Sequence, residues 1–282
     1  MKDFLLIFAR RYIAGTERRD AIYAAAALNA LGLKATIDSL GENVKTIGEA
    51  ERSAEEYLAL LADIKKSGVD SHVSLKLTHM GLGLSTDIAW KNTERVVKKA
   101  AELGNFVRID MEGSAFTQAT IDIFLGLREK YPNVGVAIQS ALKRSVEDAR
   151  RISAAGGSIR LVKGAYKEPP SIAFADKKDV DKSFELIMKE LLMTPTRPAI
   201  ATHDEKLIEE AKRFAEEKGI PKGSFDFEML LGIKRTLQKR LSGEGYTMRV
   251  YLPYGRDWLP YMLRRLRERK ENVWFMLKNI LD

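Results

Sequence analysis

The chain has 282 residues, 45% hydrophobic and 30% charged, which is enough for a full buried core, argues against disorder and suits the length of one α/β barrel. Its formal net charge of +8 favours an anionic partner, whether a small ligand, a membrane surface or nucleic acid, without choosing among them. The absence of cysteine excludes disulfides, thiolate metal sites and cysteine nucleophiles, and fits a reducing, cytoplasmic compartment.

From Lys2 to Ala30 the composition is helical and ends in an Ala-rich run, with Gly32 as the expected stop. The apolar start from Phe4 to Ala9 is too short for a signal segment and runs into Arg10 and Arg11; nothing approaches a membrane-spanning length. A β-favouring run at 35–38 is followed by a helix expected from Ser53, where SAEE spells a capping box, to Gly68. Further β-favouring runs stand at 72–77, 106–110, 134–139, 159–163, 199–202, 224–228 and 247–252. Helical patterns fill the gaps at 92–104, 118–131, 145–157 and 204–219.

The eight runs start 23 to 40 residues apart, each interval long enough for a strand, a loop and a crossover helix. There is no G-x-G-x-x-G and no G-x-x-x-x-G-K-[ST] in the sequence, so an open dinucleotide-binding sheet is disfavoured. The expected fold is α/β, a distorted (β/α)8 TIM barrel with N-terminal helices and a final helix over the barrel mouth. Residues 1–282 read as one barrel domain, with 1–33 as an N-terminal helical segment. One long loop is expected at 167–181, Pro-rich and then charged.

Chemistry on such a barrel sits at the C-terminal ends of the strands. The residues there are Asp38, Lys76, Asp110, Gln139, Lys163, Thr202 with His203, Glu228 and Tyr251. Polar residues collect where loops begin, but two lysines and several carboxylates closing apolar runs exceed that ordinary expectation. His72, His79 and His203 have no zinc-site spacing, and no G-x-S-x-G supports a serine hydrolase. Lys76 and Lys163 suit either a Schiff base or an anion. After Arg160 to Lys163, Gly164 and Ala165 leave the backbone bare to a flat or phosphorylated ligand.

The last helix is expected to start at Trp258, with Asp257 as N-cap and Pro260 in the first turn. Tyr261, Arg264, Arg265 and Glu268 then share one face. A solvated surface is the usual fate of an Arg-Arg pair, but two adjacent guanidinium forks beside a tyrosine also suit a carboxylate held bidentately.

Six segments carry a resemblance to a known family: VSLKLTHMGL, VRIDMEGSAFTQATIDIF, IRLVKGAYKEP, IATHDEKLI, FDFEMLLG and RVYLPYGRDWLPYMLRRLRER. In order and spacing they resemble proline dehydrogenase in its compact, monofunctional bacterial form. The resemblance implies FAD at the barrel mouth and oxidation of L-proline to Δ1-pyrroline-5-carboxylate by hydride transfer to flavin N5, with electrons passed to a quinone. It assigns Lys76, Tyr251, Tyr261, Arg264 and Arg265 to substrate, with Glu268 keeping the arginines aimed. Asp110 and Arg160 become catalytic, Arg160 beside N5. FAD contacts fall on Met111, Gln139, Arg160, Lys163, Gly164, Ala165, Thr202 and His203. It implies no metal.

The sequence departs from the family pattern at Gly113, where an acidic residue is commoner, and at Ser140 and Ala141, where an aromatic follows the glutamine. Two other classes stay open on the residues alone. One is a lysine Schiff-base aldolase on the same barrel. The other is a basic module using Lys234 to Lys270 at a membrane or nucleic acid. Its lack of aromatic-interleaved basic motifs argues against nucleic acid. The implied location is cytoplasmic, with peripheral contact at the inner face of the membrane allowed.

Overall fold

The structure, a computed structural model, describes residues 11–268, and over 264–268 it describes the helical backbone alone. Every β-favouring run becomes a strand: β1 Lys34–Ser39, β2 Ser71–Leu75, β3 Val107–Ile109, β4 Val134–Gln139, β5 Ser158–Val162, β6 Ala199–Ala201, β7 Asp226–Leu230 and β8 Thr247–Tyr254. They pair in parallel in chain order, and β8 closes on β1 with Lys34 opposite Arg249 and Ser39 opposite Tyr254. The crossovers are helices α2 Ile47–Ser67, α3 Thr86–Glu102, α4 Ser114–Lys130, α5 Ser145–Ala154, α6 Lys177–Leu192, α7 Glu205–Glu217 and α8 Arg235–Gly243. Helix α1, Arg18–Asn29, precedes the barrel and α9, Trp258–Glu268, follows it, so the (β/α)8 expectation holds.

Several boundaries differ from the sequence reading. Helix α2 begins at Ile47, not near Ser53, because Thr46 is extended and its hydroxyl accepts the Glu49 N–H at 3.2 Å while Glu49 Oε2 accepts the Thr46 N–H at 3.1 Å. Ser53 lies inside the helix and donates to the Glu49 carbonyl at 3.0 Å. Strand β7 sits two residues later than the expected 224–228, since Lys222–Ser224 forms a 3-10 turn in which Ser224 Oγ donates to Pro221 O at 2.7 Å. Helix α6 begins at Lys177, which shortens the long loop. At the N-terminus only Arg18–Asn29 is helical among the described residues. Residues 11–17 run irregularly beside the end of β8, Ala14 N–H donating to Pro253 O at 2.8 Å.

The apolar core lies between strands and helices. Leu60, Leu61 and Ile64 of α2, Val96 and Val97 of α3, Phe124 of α4 and Phe184 and Ile187 of α6 are all buried against the outer face of the sheet. Each such side chain contributes about 1.5–3 kcal/mol on burial.

The barrel interior is not filled this way. In place of the branched apolar layers usual in this fold, it holds four cations, Lys76, Arg108, Arg160 and Arg249, and four carboxylates, Asp38, Asp110, Asp226 and Glu228. In its lower half Arg249 Nε pairs with Asp226 Oδ2 at 3.1 Å and donates through Nη1 to Ala35 O at 2.7 Å. Arg108 donates to Ser158 O at 2.7 Å, and burial together with Arg160 lowers its guanidinium pKa to about 9. The guanidinium fits because β4 carries Gly135 there: a Cβ would stand 2.4 Å from Arg108 Nη1.

A buried ion pair that loses one partner leaves an uncompensated charge. Asp226→Asn is therefore expected to lower unfolding free energy by roughly 3–5 kcal/mol, read as a lower urea midpoint at unchanged slope. A midpoint equal to wild type would show that hydrogen bonding to the amide and to the Ala35 carbonyl satisfies Arg249 without the carboxylate charge.

Candidate active site

At the upper end of the barrel the strand-end side chains converge. Lys76, just past β2, places Nζ 2.9 Å from Asp38 Oδ2, 3.4 Å from Asp110 Oδ2 and 3.4 Å from the Tyr251 hydroxyl. Tyr251, inside β8, donates to Asp110 Oδ2 at 2.6 Å. Arg160 of β5 crosses the barrel: Nη1 donates to Asp110 Oδ1 at 2.6 Å and to Ser74 Oγ at 3.0 Å, and its Cζ lies 5.2 Å from the Tyr251 ring centre. On its other edge Nε and Nη2 grip Glu228 of β7 at 2.6 and 2.9 Å. The order Glu228, Arg160, Asp110, Lys76, Asp38 alternates in sign from end to end.

Electrostatics follow from that order. Burial pushes the Asp110 carboxyl up, but Lys76 and Arg160 outweigh it and hold it below the usual range. Burial raises Asp38 against the pull of Lys76, with the Asp110 charge adding to the rise. Burial works against the Lys76 ammonium, yet Asp38 and Asp110 keep it above its ordinary value. A lysine so held is protonated at neutral pH and is no nucleophile, which argues against Schiff-base chemistry at this position. Tyr251 is held well above its ordinary value by burial and by Asp110, so it stays a phenol.

A second group lines the β4–β6 side. Gln139 ends β4 and donates to Glu112 O at 2.9 Å, and Met111 follows β3 as a buried side chain. Lys163 lies 2.5 Å from Asp181 Oδ1 and 2.8 Å from Asp204 Oδ2. Gly164 turns the chain with φ +118, where a Cβ would press to 3.2 Å from both Ala141 Cβ and Gln139 Oε1; exposed Gly164 and half-buried Ala165 therefore present bare backbone. Thr202 Oγ1 accepts the Asp204 N–H at 3.1 Å. His203 Nε2 accepts the Leu230 N–H at 3.0 Å, which puts the neutral ring's proton on Nδ1.

Helix α9 starts at Trp258 as expected, and Trp258, Tyr261 and Met262 pack with Ile13 and Leu40 in a small cluster of their own. Tyr261 is buried there. Arg264, Arg265 and Glu268 lie on the α9 backbone, and their side chains are outside the described residues.

Some contributors carried no role in the sequence reading. Tyr57 reaches in from α2, its hydroxyl 2.7 Å from Ser74 O and 3.2 Å from Asp38 Oδ1 while accepting the Ser39 N–H at 3.2 Å. Glu168 of the β5–α6 loop accepts the Ser114 N–H at 2.7 Å and its hydroxyl at 2.5 Å, capping α4 from a distant stretch. That contact bears on Gly113: a Cβ there would lie 3.8 Å from Glu168 Oε1, so an acidic residue would meet a carboxylate already in place. Ala141 is bracketed by backbone bonds, to Lys163 O at 2.9 Å and from Phe174 N at 2.8 Å, and its methyl packs under Gly164.

A model of the family described as proline dehydrogenase matches residues 21–278. The chain belongs to the proline dehydrogenase family. It is 39% identical over 274 residues to proline dehydrogenase 2 of Bacillus subtilis strain 168, covering 97% of this chain and 90% of that protein. It is 37% identical over 278 residues to a proline dehydrogenase of Deinococcus radiodurans, with the same two coverages. Among solved structures, proline utilization A from Bdellovibrio bacteriovorus, inactivated by N-propargylglycine, matches with a TM-score of 0.88 at 25% identity over 94% of this chain. The match covers 33% of that longer chain. Family and fold thus agree with the barrel traced above.

His79, beside this site, lies so close to Gly41 that a Cβ there would be 2.2 Å from its ring, and burial with Lys76 lowers its pKa to about 4. The unfolded chain takes up a proton near pH 6.5 and the native state only near 4, so stability falls as pH drops through that window. Between pH 7 and 5 wild type is expected to lose about 2 kcal/mol more than His79→Gln, measured by urea unfolding. Equal losses would show that His79 titrates normally.

Proposed function

We propose that the chain oxidises L-proline to Δ1-pyrroline-5-carboxylate with FAD bound at the barrel mouth, and passes the electrons to a quinone. The observation that carries this reading is the gathering of Lys76, Asp110, Arg160 and Tyr251 into one hydrogen-bonded network in a chain of this family. Bound FAD would supply the two-electron acceptor for the hydride that leaves proline C5.

The residues present suit that cofactor. Gly164, at φ +118 with little room for a Cβ, leaves the backbone of this turn accessible to a flat or phosphorylated group. Lys163 pairs with Asp181 and Asp204, and Lys177 stands 3.0 and 3.8 Å from the same two carboxylates, so two cations offset the two aspartates beside this turn. Gln139, Met111, Thr202 and His203 border the same side of the mouth, and Arg160 joins it to the Lys76 network.

The protein's own part is binding and charge. Lys76 offers its ammonium to the substrate carboxylate, and Arg264 with Arg265 complete the clamp from α9. Tyr251, kept as a phenol, and Tyr261 pack against the pyrrolidine ring. Hydride loss from the carbon beside nitrogen builds positive charge on that nitrogen, which the ionised Asp110 is suited to balance. The amine proton goes to solvent. A quinone is met at a membrane surface, and the net charge of +8 suits peripheral contact with anionic lipid from the cytoplasm. Among the described residues no helix is long and apolar enough to cross a membrane.

The purified protein is expected to show oxidised-flavin absorbance that bleaches on anaerobic addition of L-proline; a colourless protein that binds no FAD would end this reading. Arg264→Ala and Arg265→Ala should each raise the proline KM by about 30-fold, near 2 kcal/mol for a charge-assisted contact, with FAD affinity unchanged. An unchanged KM in both variants would remove the arginine clamp.

A further inference from the structure

Arg160 sits where the cofactor side and the substrate side of the mouth meet, and its hydrogen bonds are nearly exhausted. A guanidinium has five N–H donors. Nε and one N–H of Nη2 go to Glu228, and both N–H of Nη1 go to Ser74 and Asp110, which leaves a single Nη2–H for any ligand. Its charge is compensated as thoroughly. Glu228 takes it bidentately from one side and Asp110 from the other; Glu228 and Arg160 are shielded from water, 3% and 4% exposed, while the Asp110 side chain is 13% exposed. Glu228 has no other ion-pair partner among the described residues, so its charge acts on the site through Arg160.

We infer that Glu228 is a positioning residue that tunes the bound flavin: by neutralising Arg160 and occupying its fork, it lowers the flavin's reduction potential and leaves Arg160 one N–H for the cofactor. The inference rests on the FAD reading above. Reduced flavin carries negative charge that a bare guanidinium would stabilise, and Glu228 removes most of that stabilisation. The carboxylate thus favours electrons leaving the reduced cofactor for a quinone over electrons staying on it. A merely structural ion pair would steady the barrel and leave the potential alone.

The test is Glu228→Gln in the flavin-loaded protein, read by dye-linked reductive titration. The amide oxygen still accepts from Nε, Asp110 still balances the guanidinium, and the carboxylate charge is gone. The equilibrium between oxidised and reduced flavin should move at least tenfold toward reduced, about 30 mV more positive for a two-electron couple. Glu228→Asp, which keeps the charge, should stay within threefold of wild type. A Glu228→Gln potential within threefold of wild type, or a shift to the negative side, overturns the inference. So does failure of both Glu228→Gln and Glu228→Met to fold, since the carboxylate then serves the barrel itself. Wild-type protein without flavin, established before any variant is made, would sink the FAD reading instead.

Discussion

The structure depends on an alternating line of buried charges, Glu228, Arg160, Asp110, Lys76 and Asp38, drawn across the inside of the barrel. Each group alone would cost several kcal/mol to take out of water, and each is tolerated because its neighbours carry the opposite sign. The consequence is rigidity. None of these side chains can leave its place without exposing a partner to the same penalty, so the mouth is preorganised before anything binds. The lower half repeats the device with Arg249 on Asp226, and places Arg108 against Ser158 over a strand that has no side chain at Gly135.

Around that line, the loops are stitched to one another by hydrogen bonds as well as by the apolar contacts of Leu40, Leu77, Met80 and Leu82. Thr78 accepts the Asn43 N–H at 3.0 Å, and its own N–H goes to Glu112 Oε1 at 2.9 Å, so the loops after β1, β2 and β3 are fastened two residues from Lys76. Burial raises the Glu112 carboxyl, and the Thr78 bonds pull against that rise. Glu168 ties the loop after β5 to the start of α4. Tyr57 carries the same function through the wall, joining α2 to Asp38 and to the backbone of β1 and β2.

Much of this was legible in the sequence, for physical reasons that also mark where legibility stops. Strands announced themselves because β-branched runs recur at crossover spacing, and Lys76 and Asp110 because strand ends are where this fold holds its chemistry; Tyr251 lies inside β8 and Arg160 inside β5, and the role of Arg160 came only from the family resemblance. The start of α2 misled because TIGE and SAEE both spell a capping box, and only the extended backbone at Thr46 decides between them. Strand β7 misled because alternation in SFDFE continues into a 3-10 turn that a period of two cannot detect. Tyr57 and Glu228 could not be assigned partners at all: Arg160 and Glu228 are 68 residues apart, and no local pattern records a pairing across a barrel.

The same charge line also says what the substrate clamp requires. Lys76 already faces two carboxylates, so a third, brought by an amino acid, would crowd three negative groups around one ammonium. Near a low-dielectric wall that arrangement is unfavourable unless further cations arrive with it. In the proposed function that source is the Arg264–Arg265 pair of α9, a helix anchored through Trp258, Tyr261 and Met262 on Ile13 and Leu40. The apolar cluster and the charge line are then two parts of one requirement: the barrel supplies a cation that is nearly spent, and the pinned helix must supply the rest.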